Sequence, residues 1–174
     1  MRPARRKALA LVGVAAAAAA GGALVGALLV QSRSGAARLL SASFVDLDGR
    51  ARRLLEWRGR ALVCNFWATW CAPCREEVPL FVAAKQQYAA KPLEIVGIGI
   101  DHAAKLREFA ANYRVNYPIL VAGSEAIEIM RDLGNKAGAL PYTVLLDRSG
   151  GVVGQRLGAF HKEELAEILA ALVG

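Results

Sequence analysis

Asn65-Phe66-Trp67-Ala68-Thr69-Trp70-Cys71-Ala72-Pro73-Cys74-Arg75-Glu76-Glu77 is the stretch that decides how this chain is read. Before it, Ala61 to Trp67 is a short apolar run with the β-branched and aromatic content of a buried strand. After it, Leu80, Phe81, Ala84, Gln87 and Tyr88 recur at helical spacing. The two cysteines therefore fall at a strand-to-helix junction, with Cys71 in the first helical turn. There the unpaired backbone N–H groups and the positive end of the helix dipole face its sulfur.

The thiolate is the reactive form of cysteine, and a positive field favours it over the thiol. Cys71 is thus the expected nucleophile. Pro73 sits where its missing N–H costs no hydrogen bond, and it stiffens the turn. Cys74, about one helical turn on, faces inward and is placed to resolve a mixed disulfide at Cys71. The pattern reads as a dithiol redox site. A zinc site needs two further ligands, and the remaining candidates, Cys64, His102 and His161, stand in no paired spacing. A disulfide closing so short a loop constrains the unfolded chain little, which argues against a purely structural role. Trp70 is expected to border the sulfur as a flat apolar contact for a partner. Trp67 and Cys64 belong to the strand and read as core.

The 174 residues, 55% of them hydrophobic, leave room for one globular domain and an appendage. Arg2, Arg5, Arg6 and Lys7 precede an uncharged run from Ala8 to Val30. At about 1.5 Å per residue that run is long enough, as a helix, for a hydrocarbon core of about 30 Å. The expectation is a single-pass inner-membrane anchor with its N-terminus in the cytoplasm and the domain on the periplasmic or exterior side. A cleaved signal peptide, with release to the periplasm, is the alternative: Ser34-Gly35-Ala36 offers a late small-x-small site. Arg5-Arg6 also raises twin-arginine export, although its flanks fit that signal poorly. A soluble Ala-rich helix is disfavoured by Gly13, Gly21, Gly22 and Gly26. We divide the chain into an anchor and tether over 1–38, with Gln31 to Ala37 as the short polar tether, and a domain over 39–174.

The formal charge of +7 is misleading about partners. Six of the 22 Lys and Arg lie before Leu39, so the domain keeps 16 against 15 acidic residues. No nucleic-acid surface is expected. Arg50, Arg52, Arg53, Arg58 and Arg60 cluster, in the manner of a solvated hairpin and loop edge.

Phe44 to Leu47 and Arg53 to Leu55 flank Asp48-Gly49, a β-hairpin turn signal. Beyond the dithiol the helix should run to about Ala90 with Pro79 inside it. A strand over Leu93–Ile100, a helix over Ala103–Tyr113, an extended Pro118–Val121 and a helix capped by Ser124 follow. Thr143–Asp147 and Val152–Leu157 are spaced as an antiparallel hairpin. His161-Lys162 then open a helix with Leu165, Ile168, Leu169 and Leu172 on one face. This order implies an α/β fold, a central mixed sheet covered on both faces.

The block from Asn65 to Pro79 resembles the active-site segment of the thioredoxin superfamily, and specifically of the TlpA/ResA-like membrane-anchored thiol-disulfide oxidoreductases, over roughly residues 40–174. The resemblance implies a thioredoxin-like sheet with a strand-helix insertion and an N-terminal hairpin, and a redox disulfide between Cys71 and Cys74. It makes Pro141 a cis-proline facing the dithiol. Leu140 then offers its backbone to an extended cysteine-bearing substrate, beside Trp70 and Pro73. Glu77 becomes an active-site carboxylate that modulates thiol protonation, Glu76 being the solvated neighbour. Asn65 departs from thioredoxin, whose aspartate at this position assists proton transfer, so the acceptor for the Cys74 proton is left between Glu77 and water.

The implied activity is reduction of disulfides in specific exported proteins, for example apocytochrome c during cytochrome c maturation, without a cofactor or metal. Its electrons would come from a membrane donor of the DsbD/CcdA type. Two competing readings differ in what they need. A copper or other metal-binding assembly factor requires a third ligand near both thiolates. A thiol peroxidase uses a Thr-x-x-Cys setting, whereas Thr69 precedes Cys71 by two.

Overall fold

The computed structural model describes residues 34–174. The spanning segment expected over 8–30 lies outside the described residues; among these, no helix is long and apolar enough to cross a membrane.

The described chain opens with a helix over 34–41 (α1). Strands Phe44–Asp46 (β1) and Ala51–Arg52 (β2), a 3-10 helix Leu54–Trp57, strand Ala61–Trp67 (β3) and helix Ala72–Gln87 (α2) follow. Then come Leu93–Gly99 (β4), Ala103–Asn112 (α3), Ile119–Val121 (β5), Glu125–Asp132 (α4), Tyr142–Leu146 (β6), Val152–Leu157 (β7) and Lys162–Val173 (α5). The strands form one sheet in the order β2-β1-β5-β4-β3-β6-β7. β3 runs parallel to β4 and antiparallel to β6. The implied mixed sheet with flanking helices, the N-terminal hairpin and the inserted strand and helix are all present.

Every residue of β3 is buried, because both of its faces are covered. Leu62, Cys64 and Phe66 pack with Leu39 of α1 and with Ile129 and Met130 of α4. Ala61 and Val63 point the other way, to Phe81 of α2 and Leu165 and Leu169 of α5. Trp67 continues that second face against Phe109 of α3, ring centroids 4.9 Å apart. The period of two thus sends alternate residues of one strand into separate cores.

Three local expectations need correction. Residues 34–37, read as tether, belong to α1: Ala36 and Leu39, three apart on one helical face, are buried in the core, and Arg38 pairs with Asp132 at 2.5 Å. The second hairpin strand ends at Arg52. Leu54 turns inward to full burial and the Arg53 N–H donates to Glu56 Oε1 at 2.7 Å, which closes a 3-10 turn instead. Ser124 occupies the N-cap position of α4 without a side-chain cap; the Glu125 carboxylate accepts the Gly123 N–H at 2.9 Å. The hairpin turn is as read, with Gly49 at φ 83° and Asp46 accepting the N–H groups of Asp48 and Arg50, each at 2.9 Å.

Candidate active site

Topology brings the site together. Phe66 of β3 lies opposite Tyr142 of β6, so the loop leaving β3 and the loop entering β6 emerge side by side. The first carries Thr69, Trp70 and Cys71; the second carries Leu140 and Pro141, joined by a cis peptide bond. Leu140 packs against the cluster of Cys71, Cys74, Trp67 and Val78. Residues nearly seventy positions apart thereby meet at the dithiol.

Cys71 is the N-cap of α2 and forms a disulfide with Cys74, Cα atoms 5.3 Å apart. The Cys74 N–H donates to Cys71 Sγ at 3.3 Å. No acidic residue occupies the first turn of α2, so nothing offsets the helix dipole that favours a thiolate there. The two sulfurs differ in access: Cys71 keeps 6% exposure while Cys74 has none. Trp70 beside them is 67% exposed, an apolar surface left free at the rim. Pro73 and Glu76 are exposed as well.

A polar row, buried at Asn65 and Thr143 and half-buried at Arg156, crosses the sheet beside α2. Asn65 of β3, Thr143 of β6 and Arg156 of β7 occupy adjacent register positions across three strands. The Asn65 amide donates to Thr143 Oγ1 at 3.0 Å and to Glu77 Oε1 at 2.8 Å. Glu77, one turn beyond Cys74 on α2, also accepts the Phe160 N–H on Oε2 at 3.3 Å. Its carboxyl is 1% exposed. Burial pushes its pKa up to about 7, against the lowering pull of the Asn65 and Phe160 hydrogen bonds and the Arg156 charge. Arg156 is held by Glu164, by the Ala159 carbonyl at 3.1 Å and by the Phe160 ring, 5.2 Å from its centroid. Burial of its phenol, with a lesser push from the Glu77 charge, raises the pKa of Tyr117. Glu77, one turn from Cys74, is therefore a buried carboxyl whose pKa burial raises to about 7.

Asp101 is a site residue that sequence reading missed. It ends the segment after β4, where the Ile100 N–H donates to the Trp67 carbonyl at 2.8 Å. Its carboxylate accepts the Thr69 hydroxyl and, at 2.8 Å, the His102 N–H. Burial opposes its ionisation, but those two donors and Lys105 outweigh it and hold the carboxyl below its ordinary range. The Thr69–Asp101 bond fixes the loop two residues before Cys71. No motif marks that pair, because its partners lie 32 positions apart.

Cys64 is fully buried and its thiol is pushed up to about 12 by burial alone, which fits a small core residue. His102 and His161 are the N-cap residues of α3 and α5, neither with a side-chain cap bond. Among the described residues, no three His, Cys, Asp or Glu side chains converge as metal ligands.

Comparison with known proteins agrees with this geometry. A family model described as Redoxin matches residues 34–172. Thiol-disulfide oxidoreductase ResA of Geobacillus thermodenitrificans is 30% identical over 128 residues, covering 73% of this chain and 71% of its own. Thioredoxin-like protein YneN of Bacillus subtilis is 32% identical over 131 residues, covering 73% and 74%. Among solved structures, a thioredoxin-family thiol:disulfide interchange protein from Chlorobium tepidum superposes with a TM-score of 0.69 at 28% identity, covering 76% of this chain and 93% of that one. With a Cys-x-x-Cys disulfide at a helix N-terminus and a cis-proline just before the neighbouring strand β6, the chain belongs to the Redoxin family and is a TlpA/ResA-like thiol-disulfide oxidoreductase of the thioredoxin superfamily.

Proposed function

We propose that this oxidoreductase works as a reductant of disulfides in exported proteins, held to the outer face of the cytoplasmic membrane by residues 8–30. The observation that carries the direction of attack is the asymmetry of the two sulfurs, one at the rim beside Trp70 and the other sealed beneath it. In the reduced enzyme the Cys71 thiolate attacks one sulfur of a substrate disulfide. A mixed disulfide forms and the other substrate sulfur leaves as a thiolate. Cys74 then loses its proton and attacks Cys71 Sγ, so the enzyme disulfide forms and the second substrate sulfur departs. Two electrons have passed to the substrate. Glu77 takes the proton from Cys74, directly or through water, because its pKa of about 7 lets it do so near neutral pH. Substrate backbone pairs beside Leu140 and Pro141 while Trp70 and Pro73 bound the approach.

Each cycle ends with the enzyme oxidised, so a membrane donor of the DsbD/CcdA type must return two electrons and two protons. The substrate class is a cysteine-containing exported protein, apocytochrome c being one whose two thiols must be reduced before haem attachment. The apolar run over 8–30 with basic residues ahead of it supports the membrane placement.

Trapping in cells tests this reading. A Cys74→Ala variant should accumulate mixed disulfides through Cys71, and mass spectrometry of the captured partners names the substrates. Capture by Cys71→Ala instead would reverse the two roles. A reduction potential near the value of about −120 mV of the oxidant DsbA, rather than near about −270 mV as for thioredoxin, would overturn the reductant assignment.

A further inference from the structure

The arginines clustered between residues 50 and 60 separate into two groups in the fold. Arg50 pairs with Asp48 at 3.4 Å, and Arg52 with Glu56 at 2.6 Å and Asp46 at 3.6 Å. Arg58 has no such partner among the described residues. Arg148, from the β6–β7 turn, likewise has none, and the Gly59 N–H donates to its carbonyl at 3.3 Å, which ties the two loops together. With Arg60, Leu40, Leu55 and Leu62 they line a cavity of about 250 Å³. Arg60 is engaged elsewhere: its Nη2 donates to the Leu93 carbonyl at 2.7 Å and pairs with Glu94 Oε2 at 3.9 Å, while its Nε is buried without a hydrogen-bond partner. The one acid in the lining, Asp147, is engaged by the N–H groups of Ser149 and Gly151. The cavity lining thus holds two guanidinium groups without an ion-pair partner, those of Arg58 and Arg148, beside one occupied carboxylate and three leucines.

That combination fits a molecule with an anionic head and an apolar body. Guanidinium groups bind phosphate oxygens in a fork, and a leucine lining has no use for a bare phosphate. Position narrows the choice. The cavity lies where β3 begins, and the dithiol lies just past its other end, about 20 Å away at the usual rise of a strand. α1 contributes Ala37 and Leu40 to the cavity. Only six residues, 31–36, lie between Val30, the end of the apolar run, and Ala37, a reach of at most about 25 Å. We propose that this cavity takes the phosphate headgroup and first acyl carbons of an anionic phospholipid, so that the domain stands on its own membrane with the dithiol turned outward. The choice of a lipid rests on the membrane-tethered reading above.

The test uses the full chain in neutral detergent, with native mass spectrometry after addition of phosphatidylglycerol, phosphatidylcholine or inorganic phosphate. One phosphatidylglycerol per chain should be retained and phosphatidylcholine should not. Arg58→Gln with Arg148→Gln should weaken retention at least tenfold while insulin reduction by the dithiol stays unchanged. Equal retention by wild type and variant overturns the cavity assignment. Phosphate that binds as tightly as the lipid overturns the choice of a lipid. Release of the wild-type chain from cell membranes by alkaline carbonate counts against the tether alone, so the two failures are told apart.

Discussion

The side-chain amide of Asn65 donates to Glu77 Oε1 at 2.8 Å, and it does so beneath the helix turn that carries both reactive sulfurs. A neutral residue thus holds a buried carboxyl from the strand side. Its consequence is that proton affinity at this site is set by burial rather than by a neighbouring carboxylate.

Glu77 ties fold stability to pH. Its folded-state pKa of about 7 lies above the ordinary 4.5, so the folded chain binds a proton that the unfolded chain has released. The stabilisation is complete below about pH 4.5 and is lost as pH rises through 7. Relative to Glu77→Gln, wild type should lose on the order of 3 kcal/mol of unfolding free energy between pH 4.5 and 7.5. Urea titrations of the oxidised proteins at several pH values measure it, and parallel pH profiles would refute it.

Arg156 lowers the pKa of the same carboxyl through its charge. Arg156→Gln should therefore move the Glu77 titration to higher pH, and the pH dependence of thiol-disulfide exchange should follow it. Arg156→Lys, which keeps the charge but not the fork to Glu164 and Ala159, should restore most of the shift. Carboxyl ¹³C chemical shifts of Glu77 read it directly, and equal shifts in both variants would show that packing rather than charge is at work.

Asn65→Asp would set two carboxyls within hydrogen-bond distance in a dry site, where both cannot ionise. The variant should be destabilised by roughly 2 kcal/mol at pH 8 and should recover near pH 5, where one proton is shared. Thermal unfolding at the two pH values distinguishes this from a general loss of packing, which would not recover.

Thr69→Val removes a donor from Asp101. Because that carboxyl is held below its ordinary 3.8, the stabilisation is present above about pH 4 and lost as pH falls through the folded-state value. The expected cost at pH 7 is about 1–3 kcal/mol, together with faster hydrogen exchange at Trp70 and Cys71. Unchanged exchange would mean that the loop is held without Asp101.

What could be read from the chain was local. The block from Asn65 to Glu77 shows its strand, its turn and its helix because the hydrophobic period changes within a few residues. The pairing of β6 with β7 was equally visible in a short turn. The polar row was not, since Asn65, Thr143 and Arg156 become neighbours only through strand register. Thr69 with Asp101 escaped for the same reason. The role of α1 was hidden differently: its buried positions are Gly35, Ala36 and Leu39, too few for a period to declare itself beside the polar Gln31 to Ser34. Glu77 was placed by resemblance, but its burial and its bond to Asn65 emerge only from the packed structure.

Cys64 shares a strand with Asn65 yet looks into the opposite core, so the sheet itself stands between it and the working pair. In the oxidised protein this is the single free sulfhydryl, and a maleimide or iodoacetamide reaches it only when the strands part. Alkylation at residue 64 therefore counts openings of the whole sheet, a reporter already built into the chain. The same separation guards against shuffling: a wrong bridge to Cys64 can form only while the sheet is open.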